Sequence, residues 1–253
     1  MFGDDVQWMP DQKRLLVKLV PKNLGPAPKV SEVSTGPAIQ ESVGAKGQSS
    51  TYEKRDTLNS KSDEDLFDYY GTSQLALVDI QTKSVTPFEK PALFNGLSIA
   101  PDGIHLLTTK VVRPYSYIVT YGRFPSKVEV LNISNLKKVS HSLIADRPLA
   151  DRVPIHGAPL GPRSFSWRPH DPATLIWAEA LDGGDWNVKV PARDKIMLLA
   201  APFTATPSEI FRTEQRYAGF SWLEKRDIAL LDEYDEDKHL SLIHISEPTR
   251  PLY

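Results

Sequence analysis

The chain has 253 residues, 40% of them hydrophobic, with 30 basic against 32 acidic side chains for a net charge of -2, and it contains no cysteine. That length and apolar content suffice for a substantial core, in one large domain or two small ones. The near-neutral charge gives no electrostatic reason to expect nucleic acid or an anionic membrane as partner, and the missing thiols exclude disulfides, thiol catalysis and cysteine-ligated zinc.

The 21 prolines and 14 glycines suit many short strands joined by turns better than long helices. Residues 6–9 and 15–20 read as two strands about the turn Pro10-Asp11-Gln12-Lys13. Over residues 21–65 the composition shifts to Pro, Gly, Ser, Lys and Glu without a helical or strand period, which reads as an inserted surface loop. Within it, Ser62 and Asp65 fit the cap of one short helical turn before Leu66 and Phe67. Residues 75–80 and 84–88 supply two more strands and complete a four-stranded unit. A second unit follows at 97–100, 105–112, 127–133 and 138–144, with Pro101-Asp102-Gly103 as its first turn. A loop rich in Arg and Tyr, residues 113–125, joins its second and third strands. A third unit uses 163–167, 174–180, 195–202 and 209–213, and a fourth begins at Tyr217 with two strands.

The phrase that opens each unit recurs: VQWMPDQKRLLV (6–17), LSIAPDGIHLLTT (97–109), RSFSWRPHDPATLIWAEA (163–180) and FSWLEKRDIALLDEY (220–234). An aromatic or aliphatic pair, a Pro-Asp or charged turn, then paired apolar residues is the pattern of strand, turn, strand. Its repetition at uneven spacing predicts an all-β chain, a partial β-propeller of four-stranded antiparallel blades, in preference to a Greek-key sandwich. Trp8, Trp167, Trp177 and Trp222 fall in strand positions and are expected to pack between blades, whereas Trp186 follows a turn.

Residues 240–250, LSLIHISEPTR, match the in-frame translation of a sequencing-library adapter. The expectation is therefore a propeller domain over residues 1–239, with residues 240–253 not native to it. No apolar run approaches the length of a membrane span, and the N-terminus MFGDDVQWMP lacks a basic region followed by an apolar one, so a soluble chain of the cytoplasm or periplasm is expected.

Five runs carry a family resemblance: FDYYGTSQLALVDI (67–80), RPYSYIVTYGRFPSKVEV (113–130), GPRSFSWRP (161–169), AEALDGGD (178–185) and RYAGFSWL (216–223). Together they resemble the propeller of the glutamyl endopeptidase branch of the prolyl oligopeptidase family, over residues 6 to about 237. In that family an N-terminal propeller caps an α/β-hydrolase domain whose Ser-Asp-His triad cleaves peptides, in this branch after glutamate. The resemblance implies a propeller truncated at both ends, a substrate-gating part in proteolysis, and a peptide substrate met through a hydrolase domain missing from this chain. The chain alone is then expected to be inactive. The alternative is a stand-alone propeller that binds a protein partner and has no enzymatic activity.

The residues themselves show no catalytic set. A hydrolase of this kind needs a G-x-S-x-G elbow, because its serine sits on a strained turn between strand and helix. Ser73, Ser98 and Ser221 each follow a G-x-S start but lack the second glycine. The six histidines show no metal-ligand spacing, and Asp182, Asp185 and the acidic run 232–237 lack the alternating ligands of a calcium loop and read as solvated turns. No metal or cofactor is implied. A peptidase that selects glutamate needs a cation, and arginine offers a bidentate fork to a carboxylate. Arg113 and Arg123, on the Arg/Tyr loop, are the candidates for that contact, against structural ion pairing at a blade edge.

Overall fold

The computed structural model describes residues 6–29, 56–154, 156–223, 228–235 and 238–246. Its hairpins are set by aspartates placed two or three residues before the N–H groups they accept. Asp11 accepts from Lys13 N at 2.8 Å and Arg14 N at 3.1 Å, and its second oxygen pairs with Arg14 Nε at 2.7 Å. Asp102 repeats the device: it accepts from Ile104 N at 2.8 Å and His105 N at 3.0 Å, with its other oxygen 2.6 Å from His105 Nδ1. Asp79 does the same for Gln81 and Thr82. A short carboxylate side chain that bonds its own turn satisfies backbone donors that the ladder leaves over, which is why Pro-Asp reads as a turn.

Between these turns run fifteen strands among the described residues. The first sheet takes β1 (Val6–Trp8), β2 (Arg14–Leu19), β3 (Gln74–Asp79) and β4 (Val85–Pro87) in that order. The second takes β5 (Phe94–Ile99), β6 (His105–Val111), β7 (Ser126–Asn132) and β8 (Ser140–Arg147). The third consists of β9 (Arg163–Trp167), β10 (Thr174–Ala180), β11 (Asp194–Ala200) and β12 (Ser208–Thr213), again in sequence. The fourth has β13 (Arg216–Trp222), β14 (Ala229–Asp235) and β15 (Leu240–Ser246). In every sheet each strand bonds its neighbour in sequence, whereas a Greek key requires a strand to return beside an earlier one. The sandwich alternative therefore falls, and the fold is all-β with the meander blades of a β-propeller.

The inner strands carry the core. Leu75, Ala76 and Leu77 on β3, and Leu175 to Ala178 on β10, are buried at consecutive positions, so both faces of these strands are covered. The tryptophans divide. Trp177 is buried, Trp167 and Trp222 are half-buried, and Trp8, expected in the packing, is 58% exposed because it sits on the end strand of its sheet. The chain forms two compact units, one of residues 1–97 and 106–152, the other of 98–105 and 153–253.

Two elements differ from expectation. The loop of residues 21–65 leads into an eleven-residue helix, α1 (Lys61–Gly71), in place of a single turn. Its cap is Ser60, whose Oγ accepts from Asp63 N at 3.1 Å, because Ser60-x-x-Asp63 offers the capping pattern two residues before Ser62-x-x-Asp65. Residues 30–55 of the loop lie outside the described residues. The second difference is β15, which gives the fourth sheet a third strand from the stretch read as adapter translation. Its aliphatic and β-branched residues suit a strand, and β14 offers an edge of unpaired backbone groups. Residues 240–244 nevertheless keep their side chains exposed on both faces, so backbone pairing holds this strand.

Candidate functional site

Helix α1 brings Glu64, Phe67 and Asp68 onto one face by the three- and four-residue spacing of a helix. That face meets the Arg/Tyr loop. Arg113 Nη1 donates to Glu64 Oε2, and Arg113 Nη2 donates to Asp68 Oδ2 at 2.5 Å. Tyr115 donates its hydroxyl proton to the second oxygen of Asp68, and Tyr117 donates to Glu64 Oε1 at 2.8 Å. The Arg113 guanidinium also lies over the Tyr115 ring, 4.6 Å from its centroid. Beneath these polar contacts Phe67 meets Tyr115 and Phe124 edge-on, against a core of Leu93, Val111, Val119 and Phe124.

The electrostatics follow from the contacts. The Tyr117 hydroxyl and then the Arg113 guanidinium hold Glu64 down to about 2, so it is an anion at any ordinary pH. Asp68 and Glu64 raise Arg113 further above its usual range, while burial and then Asp68 raise Tyr115. Arg113 therefore has both arms of its fork on carboxylates of its own chain, the structural ion-pair role weighed against substrate contact. Arg123 closes the 3-10 turn Tyr121–Arg123 on the same loop, where its carbonyl accepts from Ala150 N at 2.9 Å.

A second charged cluster lies in the other unit, and its residues were not singled out in the sequence as a set. Asp182, expected in a solvated turn, is a correction: its side chain is 0% exposed and takes Arg216 Nη2 at 2.6 Å and Arg193 Nη1 at 3.1 Å. Asp194, equally buried, takes Arg163 Nη2, Arg216 Nη1 at 3.1 Å and the backbone N–H of Tyr217 at 2.8 Å. Arg216, the first residue of β13, thus forks between Asp194 of β11 and Asp182 in the turn after β10. Trp186 lies 3.9 Å from the Arg193 guanidinium by its ring centroid. The turn that presents Asp182 admits only glycine at 184, where φ is +78° and a Cβ would stand 2.1 Å from the Ala158 carbonyl oxygen. Each of these charged residues sits at or beside a strand end, a shared position that marks them only once the strand limits are known.

The serines fall on strands or a bridge. Ser98 lies in β5, Ser221 in β13, and Ser73 follows α1 and precedes β3, in a single bridge to Ala92, so none stands on a turn that leads from a strand into a helix as an elbow serine must. Among the described residues no group of three His, Asp or Glu side chains could hold a metal ion, and no helix is long and apolar enough to cross a membrane.

Meander blades stitched by ion pairs, with no nucleophile elbow among the described residues, define a propeller protein. Its relatives are peptidases. It is 38% identical over 237 residues to the rice (Oryza sativa subsp. japonica) protein named "Probable glutamyl endopeptidase, chloroplastic", a match over 91% of this chain and 24% of that protein. The Arabidopsis thaliana protein of the same name is 36% identical over 219 residues, 85% of this chain and 22% of its own length. The chain is thus a relative of the glutamyl endopeptidases, the branch its sequence resembles, and it spans about a quarter of the length of these curated relatives. No family model matches the chain. Among solved structures it is similar to the β-propeller domain of the Trilobed protease from Pyrococcus furiosus, with a TM-score of 0.47, 9% identity, and coverage of 98% of this chain and 56% of that one. The uncomplexed acylaminoacyl peptidase of Pyrococcus horikoshii gives a TM-score of 0.48 at 10% identity, over 97% of this chain and 31% of that one.

Proposed function

We propose that the chain is the substrate-gating propeller portion of a serine-type endopeptidase that cleaves after glutamate, acting with an α/β-hydrolase domain encoded outside these residues. The 38% identity to a glutamyl endopeptidase along 91% of the chain carries this reading. The blade topology and the absence of an elbow among the described residues agree with it. A propeller in this position acts mechanically: it limits which peptides reach the triad and leaves the bond-breaking to the other domain. Within this reading the loop of residues 113–125, held to α1 through Arg113, carries the two arginines, Arg113 and Arg123, that are the candidates for a substrate carboxylate.

The test is chemical. The chain alone neither turns over a glutamyl peptide nor takes up a serine-directed phosphonate, while the longer parent protein does both. Labelling of the chain that disappears on mutating one of its serines would overturn the proposal. In the same reading residues 240–253 are adapter-derived, which the outward exposure of residues 240–244 supports. Reading the source DNA across the codons for His239 and Leu240 decides this. A frame that continues into a G-x-S-x-G elbow supports it, and genomic codons for LSLIHISEPTR followed by a stop refute it.

A further inference from the structure

The cluster built on Asp182 and Asp194 holds an excess of positive charge. Arg163, Arg193 and Arg216 have side chains only 13%, 14% and 12% exposed, and they face two carboxylates that are 0% exposed. Three buried guanidinium groups therefore share two buried counter-ions. Two further carboxylates lie near: Asp185, in electrostatic reach of Arg216, is turned to solvent and accepts from Asn187 N and Nδ2, and Asp232, which with Arg163 acts on the Tyr217 hydroxyl, is only half-buried. The Trp186 ring covers Arg193 and, at 5.9 Å, Arg216, but a ring face accepts no in-plane N–H. Two of the donors are left over: Arg163 Nη1 and Arg216 Nε are buried and have no hydrogen-bond partner. Both belong to arginines held on the same carboxylate, one by each oxygen of Asp194.

A buried charged donor without an acceptor is among the costliest features a fold can contain, and a buried ion without a counter-ion adds to it. Water satisfies a donor but not the charge; an anion satisfies both. We propose that this cluster is a binding site for one small monovalent anion, a halide or a carboxylate, held by the donors left over on Arg163 and Arg216. The anion completes the charge of the join between the third and fourth sheets. The proposal is independent of the peptidase reading, since it concerns what the chain holds in its own interior.

Thermal unfolding of the chain tests it, with sodium gluconate, whose anion is too bulky for a buried site, exchanged for sodium chloride or sodium acetate at constant ionic strength. The midpoint rises with the small anion and, above the dissociation constant, gains a constant increment for each tenfold rise in concentration. A response to chloride alone marks a halide site, and a response to acetate as well marks a carboxylate site. Arg163→Gln leaves two guanidinium groups for two carboxylates and abolishes the dependence. Chlorine-35 line broadening on titrating the unaltered chain gives a second readout that needs no variant. Equal midpoints in chloride, acetate and gluconate would overturn the proposal, as would an anion dependence that survives Arg163→Gln.

Discussion

The two ion-pair clusters use the same side chains to opposite effect. Around Arg113 the carboxylates outnumber the guanidinium: Glu64 and Asp68 bind it directly, Asp65 lies 3.8 Å away, and the arginine is 42% exposed. Around Asp182 and Asp194 the guanidinium groups outnumber the carboxylates, and the carboxylates have no exposure at all. Water screens the first cluster and tolerates its surplus of negative charge, so it positions a loop at low cost. The second must settle its charge internally, which turns an ion-pair count into a statement about ligands.

The largest effect should fall on the buried side. Asp194→Ala leaves Arg163, Arg216 and the Tyr217 N–H without their common acceptor, and a loss of about 3–5 kcal/mol in denaturant unfolding is expected. A loss comparable to that of a surface pair would erase the distinction between the clusters. Next comes the clamp on α1. Glu64→Gln is expected to cost about 1 kcal/mol at neutral pH, because the arginine it serves is partly exposed and screened. This loss should shrink in concentrated salt, unlike the loss for Asp194→Ala. The pH response has a definite sign. Glu64 titrates near 2 in the fold, below its ordinary value of 4.5, so its stabilisation is complete above the ordinary glutamate range and is lost as pH falls towards 2. The thermal midpoint of the unaltered chain should therefore drop more steeply on acidification than that of Glu64→Gln, and parallel curves would remove Glu64 from the clamp. The smallest change belongs to Arg14→Ala at the first hairpin. Its partner Asp11 already bonds two turn N–H groups, and the midpoint should match the unaltered chain within error.

The strands were legible where local chemistry sets them. Asp11 and Asp102 close their turns with side-chain bonds spanning two or three residues, and so short a device shows in the sequence. Helix α1 was legible only as a turn, because most of its support comes from Arg113, Tyr115 and Tyr117, more than forty residues further on. The Arg163, Asp182, Asp194 and Arg216 cluster stayed hidden for the same reason. Nothing in RSFSW or LDGGD announces that the arginine and the aspartate belong to one network, since only the stacking of strand ends brings them together. Arg113 was found by its loop, but its carboxylate partners Glu64 and Asp68 were not singled out, since nothing local ties them to an arginine more than forty residues further on.

The helix also lies within the longest connection of the first sheet. Most neighbouring strands are joined by short connections, as when Trp8 pairs with Leu15, but the register of β2 on β3 brings Leu19 beside Gln74. The entropy of closing a chain segment grows with its length, so this is the most expensive ladder to start among the described sheets. Helix α1, which ends just before β3, takes up eleven residues of that connection and so reduces the free chain whose ends the ladder must bring together.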